Sequence, residues 1–192
     1  MKVTKAQAQA NRAHIVETAS TLFRERGYDG VGVADLMAAA GFTHGGFYKH
    51  FESKTHLMAE AASCGLTQSA DAAAGGDLVD FMTYYLSREH RDTPGEGCTM
   101  AALCADAARQ PESVKTAFAA GIESQLSAPG RQGAGAAPQA RARRIALMAQ
   151  AIGAVVLSRP CPDDAPLADE ILDACREDVL SRLRDTQRSQ DP

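Results

Sequence analysis

An all-α fold is predicted by three features of this 192-residue chain. Alanine is abundant and Trp absent, no run of alternating β-branched residues marks a strand, and apolar residues recur at three- and four-residue intervals in one segment after another. The length suits a small domain followed by a larger one and is sufficient to bury a core. An N-terminal three-helix helix-turn-helix domain over 1–53 and a larger helical domain over 54–192 are expected.

Residues 1–8 are polar and are expected to fray. Over 10–26, Ile15, Ala19, Leu22 and Phe23 keep one helical face apolar, and Gly27 is placed to close that helix. Tyr28-Asp29-Gly30-Val31-Gly32 forms a turn. Val33, Leu36, Met37 and Ala40 then predict a short helix that stops at Gly41, where a left-handed turn costs little. Asp35 is expected to reach the unpaired N–H groups at the start of this helix. A second short helix begins near Thr43, whose hydroxyl is expected to accept a backbone N–H, and Phe47 and Phe51, four apart, mark its buried side. His44, Gly45, Tyr48, Lys49 and His50 are left facing outward. Two short helices hinged at a glycine, the second with a donor-rich outer face, fit a helix-turn-helix that reads DNA. Ser53 is an N-cap for the next helix and puts Lys54 at its first position. A cation there opposes the positive end of the helix dipole, and the arrangement makes sense if a phosphate arrives.

That helix runs through Leu57, Met58, Ala61 and Ala62 and fades toward Ala74-Gly75-Gly76. A further helix is predicted over 78–91 with Phe81, Met82, Tyr85 and Leu86, broken by Thr93-Pro94-Gly95-Glu96-Gly97. Another starts near Cys98 and stops at Gln110, with Met100, Leu103, Cys104 and Ala107 inward. Pro111 suits the first turn of the next, which carries Val114, Phe118 and Ile122 to Leu126. The glycine-, alanine- and proline-rich stretch 127–138 is expected to be a mobile loop. Two amphipathic helices close the chain, over 139–158 and 165–184.

The formal net charge of −4 is unevenly spread: residues 1–60 hold seven Lys/Arg against six Asp/Glu, whereas 61–192 hold thirteen against eighteen. The positive side coincides with the helix-turn-helix, where Lys2, Lys5 and Arg12 suggest a basic arm. No stretch of about 18 unbroken apolar residues and no signal-peptide core is present, so no membrane partner and a cytoplasmic location are expected. The five cysteines form an odd set without Cys-x-x-Cys, which suits reduced thiols. Glycine-rich phosphate loops, Gly-x-Ser-x-Gly and His-Glu-x-x-His are all lacking, so no enzyme and no cofactor are expected. His44, His50 and His56 lie at intervals of six, which do not stack on one helical face, so no metal site is expected.

The stretch GFTHGGFYKHFESK, residues 41–54, resembles the signature of the TetR family of bacterial transcriptional repressors. The recognition helix of that family runs Gly-Val-Ser-x-Gly-x-Leu-Tyr-x-His-Phe before a Lys that opens the next helix. Gly41, Thr43, Gly45, Phe47, Tyr48, His50, Phe51, Ser53 and Lys54 stand in those places, and the similarity covers 13–60. Family members commonly carry Thr or Ser near 31 and 32, where this chain has Val31 and Gly32, so one polar backbone contact fewer is expected there.

The resemblance implies a homodimeric repressor bound to palindromic double-stranded operator DNA and released by a small-molecule effector. It assigns the DNA face to Thr43, His44, Gly45, Tyr48, Lys49, His50 and Lys54, with Tyr48 and His50 at phosphates and His44 and Lys49 at base edges. An effector pocket in the larger domain would draw on Met82, Tyr85, Met100, Leu103, Cys104, Phe118, Ile122 and Met148, and their character favours a mainly apolar compound. The last two helices would meet their two-fold copies through Ile145, Met148, Ile152, Val155 and Val156 and through Leu167, Ile171, Cys175, Val179 and Leu183. Such a dimer holds two recognition helices about 34–36 Å apart, one turn of DNA. A second reading keeps the scaffold but makes it a thiol sensor of oxidants or electrophiles, because Cys98 lies near a helix N-terminus, where a thiolate is favoured, with Cys104 on the same helix.

Overall fold

The computed structural model describes residues 4–74, 76–127 and 138–188. Among them every regular element is helical, as expected. The elements are α1 (Lys5–Arg26), α2 (Val33–Ala39), a 3-10 helix (His44–Lys49), α3 (Lys54–Ala74), α4 (Leu78–Tyr85), α5 (Arg88–Asp92), α6 (Thr99–Ala107), α7 (Glu112–Ser127), α8 (Pro138–Ser158) and α9 (Pro166–Arg188). Two compact units result, Met1–Ser69 with Cys98–Ile122 and Ala70–Gly97 with Glu123–Pro192. Residue 53, where the sequence suggests the end of the N-terminal domain, lies inside the first. The expected loop over 127–138 falls almost wholly on 128–137, outside the described residues, as does Lys2 of the expected basic arm.

In the first unit α1 begins earlier than its apolar pattern indicates. Thr4 caps it by accepting the Gln7 N–H at 3.2 Å, and Gln7 donates to Asn11 at 2.8 Å, so polar side chains sustain a turn that has no core contact. At the other end Gly27 N–H returns to the Phe23 carbonyl at 2.8 Å. Ile15, Ala19 and Phe23 of α1, Leu36 and Met37 of α2 and Leu57 of α3 are wholly buried, and α1 packs against α2. Burial, and after it the charge of Asp106, raises the Tyr28 phenol above its ordinary value, so the buried ring stays neutral.

A polar junction sits inside this unit. Arg24 and Ser20 of α1 are buried and bonded to each other at 2.7 Å, and Thr99 of α6 is buried beside them. They converge on Gly65 of α3, where a Cβ would lie 2.4 Å from Thr99 Oγ1, 2.6 Å from Ser20 Oγ and 2.7 Å from Arg24 Nη1. Burial lowers the Arg24 pKa, against the opposing influence of Cys64, Cys98 and Glu25.

In the second unit α8 and α9 pack together and α4 lies against α9. The single helix expected over 78–91 is two. Leu86, at φ −97° and ψ 42°, leaves the helical region, and Ser87 caps α5 through the His90 N–H at 3.3 Å. The break lets buried Arg91 close the C-terminus of α8. Its guanidinium donates to the carbonyls of Ser158 at 3.0 Å and Cys161 at 2.6 Å, placing a cation where the helix dipole is negative. Arg88 reaches Asp169 in α9 at 2.6 Å, and Gln150 of α8 donates to Asp178 of α9 at 2.7 Å. His90 is buried with its ring 4.4 Å from that of Tyr85 and its Nδ1 2.8 Å from the Tyr85 carbonyl.

Two predictions follow from this packing. Gly65→Ala gains helix propensity of up to about 1 kcal/mol but overfills a site bounded by short buried side chains, which costs about 1–3 kcal/mol, so thermal melting should show a net loss of stability. A melting temperature at or above that of the parent would contradict the crowding. Burial holds the His90 pKa below its ordinary value against the contrary bond to Tyr85, with Arg159 adding to the depression. The stability this carries is complete above the unfolded value of about 6.5 and is lost as pH falls through the lower folded value. Melting should therefore weaken on acidification, with a shallower pH slope in His90→Gln than in the parent. Equal slopes would contradict it.

Candidate nucleic-acid interface

The helix-turn-helix is built around a glycine and two rings. Gly41 takes φ 79°, a left-handed conformation that ends α2, and Phe42 N–H bonds the Met37 carbonyl at 2.7 Å across the turn. Asp35 accepts the Gly32 N–H at 3.3 Å, the role expected of it. The second helix differs from expectation in type. Gly45 and Gly46 fall in its first turn, where α-helix propensity is lowest, and it winds as a 3-10 helix with Gly46 N–H bonded to the Thr43 carbonyl at 2.9 Å. Thr43 is the N-cap residue, but its hydroxyl makes no capping bond, contrary to expectation; its carbonyl alone starts the helix.

Phe47 and Phe51 are 1% and 2% exposed, with ring centres 5.5 Å apart, and form the inner side as predicted. Thr43, His44, Gly45 and Lys49 are exposed, and Tyr48 is 71% exposed with its ring edge-on to Phe47 at 5.2 Å. His50 is half-buried between Phe42 at 6.4 Å and Phe51 at 6.3 Å. Ser53 Oγ accepts the His56 N–H at 3.1 Å, so Lys54 does open α3. Its ammonium is not loose: Nζ donates to the Tyr28 carbonyl at 2.5 Å, which fixes the lysine beside the α1–α2 turn.

Arg12 is the residue most misjudged from sequence. Rather than forming part of a basic arm, it is half-buried and paired in bidentate fashion with Glu60 of α3. Its Nε donates to the His50 carbonyl at 3.3 Å, and its guanidinium lies 4.7 Å from the Phe51 ring centre. Glu60, first through its hydrogen bonds, raises the Arg12 pKa further. The same carboxylate meets His56 Nε2 at 2.7 Å. Only the separation of 48 residues between Arg12 and Glu60 hid the pair, since no local spacing reports it.

The remaining candidates are distributed as follows. Met100, Leu103, Cys104, Phe118 and Ile122 belong to the first unit and Met82, Tyr85 and Met148 to the second. Met82, Tyr85, Met100, Leu103 and Phe118 are buried, while Cys104, Ile122 and Met148 are half-buried. Of the residues assigned to a two-fold contact, Val155, Val179 and Leu183 are buried within their own unit. Ile145, Val156 and Leu167 are exposed, as is Leu157 at 62%, which the amphipathic pattern missed because it follows two valines in an unbroken apolar run. Met148, Ile152, Ile171 and Cys175 are half-buried. Burial pushes the Cys104 thiol up to about 11, opposite to what a reactive thiolate needs. Cys98 is buried and is the N-cap residue of α6, with no capping bond from its side chain. Among the described residues no helix is long and apolar enough to cross a membrane.

A family profile described as "Bacterial regulatory proteins, tetR family" matches residues 15–61. The chain is 54% identical over 43 residues to the HTH-type transcriptional repressor DhaR of Mycobacterium sp. (strain GP1), covering 22% of each chain. It is 39% identical over 57 residues to the HTH-type transcriptional regulator AcrR of Shigella flexneri, covering 30% of this chain and 26% of that one. The match therefore spans about a quarter of these relatives' length. The fold is similar over more of the chain. A TetR-family transcriptional regulator from Agrobacterium tumefaciens superposes with a TM-score of 0.68 at 22% identity, over 91% of this chain and 98% of that one. The reduced form of E. coli NemR gives 0.67 at 20% identity, over 88% and 95%. The helix-turn-helix over 15–61 thus carries the sequence pattern of the tetR family of bacterial regulatory proteins, and the all-helical architecture is similar to that of solved TetR-family regulators.

Proposed function

We propose that the chain is a one-component repressor that binds palindromic operator DNA as a homodimer and leaves it when a small, mainly apolar effector binds. The observation that carries this reading is the 3-10 helix itself, whose outer side presents Thr43, His44, Gly45, Tyr48 and Lys49 to solvent while two buried phenylalanines hold it from behind. Tyr48 and His50 are assigned to phosphates, His44 and Lys49 to base edges. Lys54 is assigned to a phosphate at the α3 N-terminus, where the backbone N–H groups and the two ammonium protons not committed to Tyr28 would meet the anion together.

Gly45 supports the assignment on separate grounds. A Cβ built there meets nothing within 4 Å, so no contact inside the chain requires glycine at an exposed helical position. A bare backbone there serves a surface that must approach it closely. For the two-fold contact the exposed apolar residues Ile145, Val156, Leu157 and Leu167 of α8 and α9 are the proposed core, with Met148, Ile152, Ile171 and Cys175 around it. The effector would act by differential affinity for a dimer whose reading helices no longer fit successive major grooves.

Fluorescence anisotropy on a palindromic duplex, measured across a salt series, tests the reading. Gly45→Ala should stabilise the free protein by up to about 1 kcal/mol yet weaken DNA binding, a divergence that an ordinary helix glycine does not produce. Unchanged affinity would remove Gly45 from the interface. Lys54→Ala should lower the slope of log K against log salt by about 1 per half-site, and an unchanged slope would remove it from phosphate contact. Sedimentation should show a dimer that Leu157→Glu converts to monomer with loss of operator binding, and a parent protein that is monomeric at working concentrations would overturn the two-fold model.

A further inference from the structure

We propose that the 3-10 helix reads guanine, through its N7 and O6 acceptors in the major groove, with Lys49 as the discriminating residue of each half-site. The proposal rests on the assignment of residues 43–50 to DNA and specifies what that surface recognises.

From Gly41 to Phe51 the chain contains no Asp, Glu, Asn or Gln. Adenine is read by an amide that donates to N7 and accepts from N6 at once, and the N4 amine of cytosine is read by a carboxylate. Neither group exists on this helix. Nearby carboxylates are committed elsewhere, Asp35 to the Gly32 N–H at 3.3 Å and Glu60 to Arg12 and to His56 at 2.7 Å, while Glu52 follows the end of the helix. The hydroxyls of Thr43 and Tyr48 donate or accept equally and discriminate weakly. What is left is the imidazoles of His44 and His50, each able to donate or accept, and one group that can only donate, the Lys49 ammonium; guanine is the base that offers two acceptors side by side.

Geometry then selects Lys49. With three residues per turn, residues three apart fall in a row along the helix. One row is His44, Phe47 and His50, whose central ring is buried. The next is Gly45 and Tyr48. The third is Thr43, Gly46 and Lys49, in which Gly46 has no side chain and Thr43 a short one, so the lysine stands clear of its own row. Lys49 is exposed, and its ammonium has three donors and no acceptor. His44 is exposed at the first residue of the helix, in a different row and at the opposite end from Lys49.

The test is selection of bound duplexes from a random pool of about 20 base pairs, one turn per half-site, with the full-length parent, Lys49→Ala and Lys49→Gln. The parent should enrich a palindrome with guanine at one symmetric position. Replacing that guanine by 7-deazaguanine, which lacks the N7 acceptor, should weaken the parent about fivefold or more per half-site and leave Lys49→Ala indifferent. Lys49→Gln should move the preference at that position from guanine to adenine. A selected palindrome without guanine, or full sensitivity to 7-deazaguanine in Lys49→Ala, would overturn the guanine assignment while leaving a DNA-binding protein. No enrichment of any duplex at low ionic strength would overturn the DNA reading itself, and this inference with it.

Discussion

A six-residue 3-10 helix has too few internal hydrogen bonds to persist alone, so its geometry has to be imposed from outside. In this protein Arg12 imposes much of it. One guanidinium donates to the carbonyl of His50 at the C-terminal end of the helix, lies over Phe51, and is locked by Glu60 of α3. Three separate pieces of chain are thereby set in register behind the exposed face. Phe47 and Phe51 supply the apolar floor, and the arginine supplies direction, since a planar fork satisfied by a carboxylate tolerates little rotation.

The compact unit that contains this head also contains 98–122, so the reading surface belongs to a body larger than three helices. Gly65 shows how closely its parts approach. The absence of a side chain on α3 lets Arg24 and Ser20 of α1 and Thr99 of α6 approach its backbone from two sides. Lys54 adds a tether from α3 to the turn between α1 and α2 through the Tyr28 carbonyl. The groups assigned to DNA thus stand on elements that are cross-linked by hydrogen bonds over long separations in sequence, which is the condition for holding a reading face at fixed geometry.

Much of this was legible in the sequence, for identifiable reasons. Apolar spacing located the helices, Gly27 and Gly41 their ends, and the Phe47/Phe51 pair the buried side of the reading helix, because each of those signals is local. Local signals also misled. Thr43 has the chemistry of a cap but its hydroxyl makes no capping bond in a 3-10 start, and the polar residues 5–9 are helical because Thr4 caps them. The helical spacing over 78–91 conceals a break at Leu86, which serves the placement of Arg91 against the end of α8. Arg12 and Arg91 illustrate the general difficulty: a charged residue reads as solvated until its partner, 48 or 67 residues away, is known. The amphipathic pattern of α8 and α9 likewise groups Val155, Val179 and Leu183 with Ile145, Val156 and Leu167, although the first three are consumed by the unit's own core.

The central claim is that the outer face of the 3-10 helix, held from behind, is the surface that meets DNA. Amide hydrogen exchange of the full chain, with and without a saturating palindromic duplex, tests it most directly. The account predicts that DNA slows exchange chiefly over 43–54. Tight DNA binding that left those amides unchanged, with protection appearing on another surface, would contradict it.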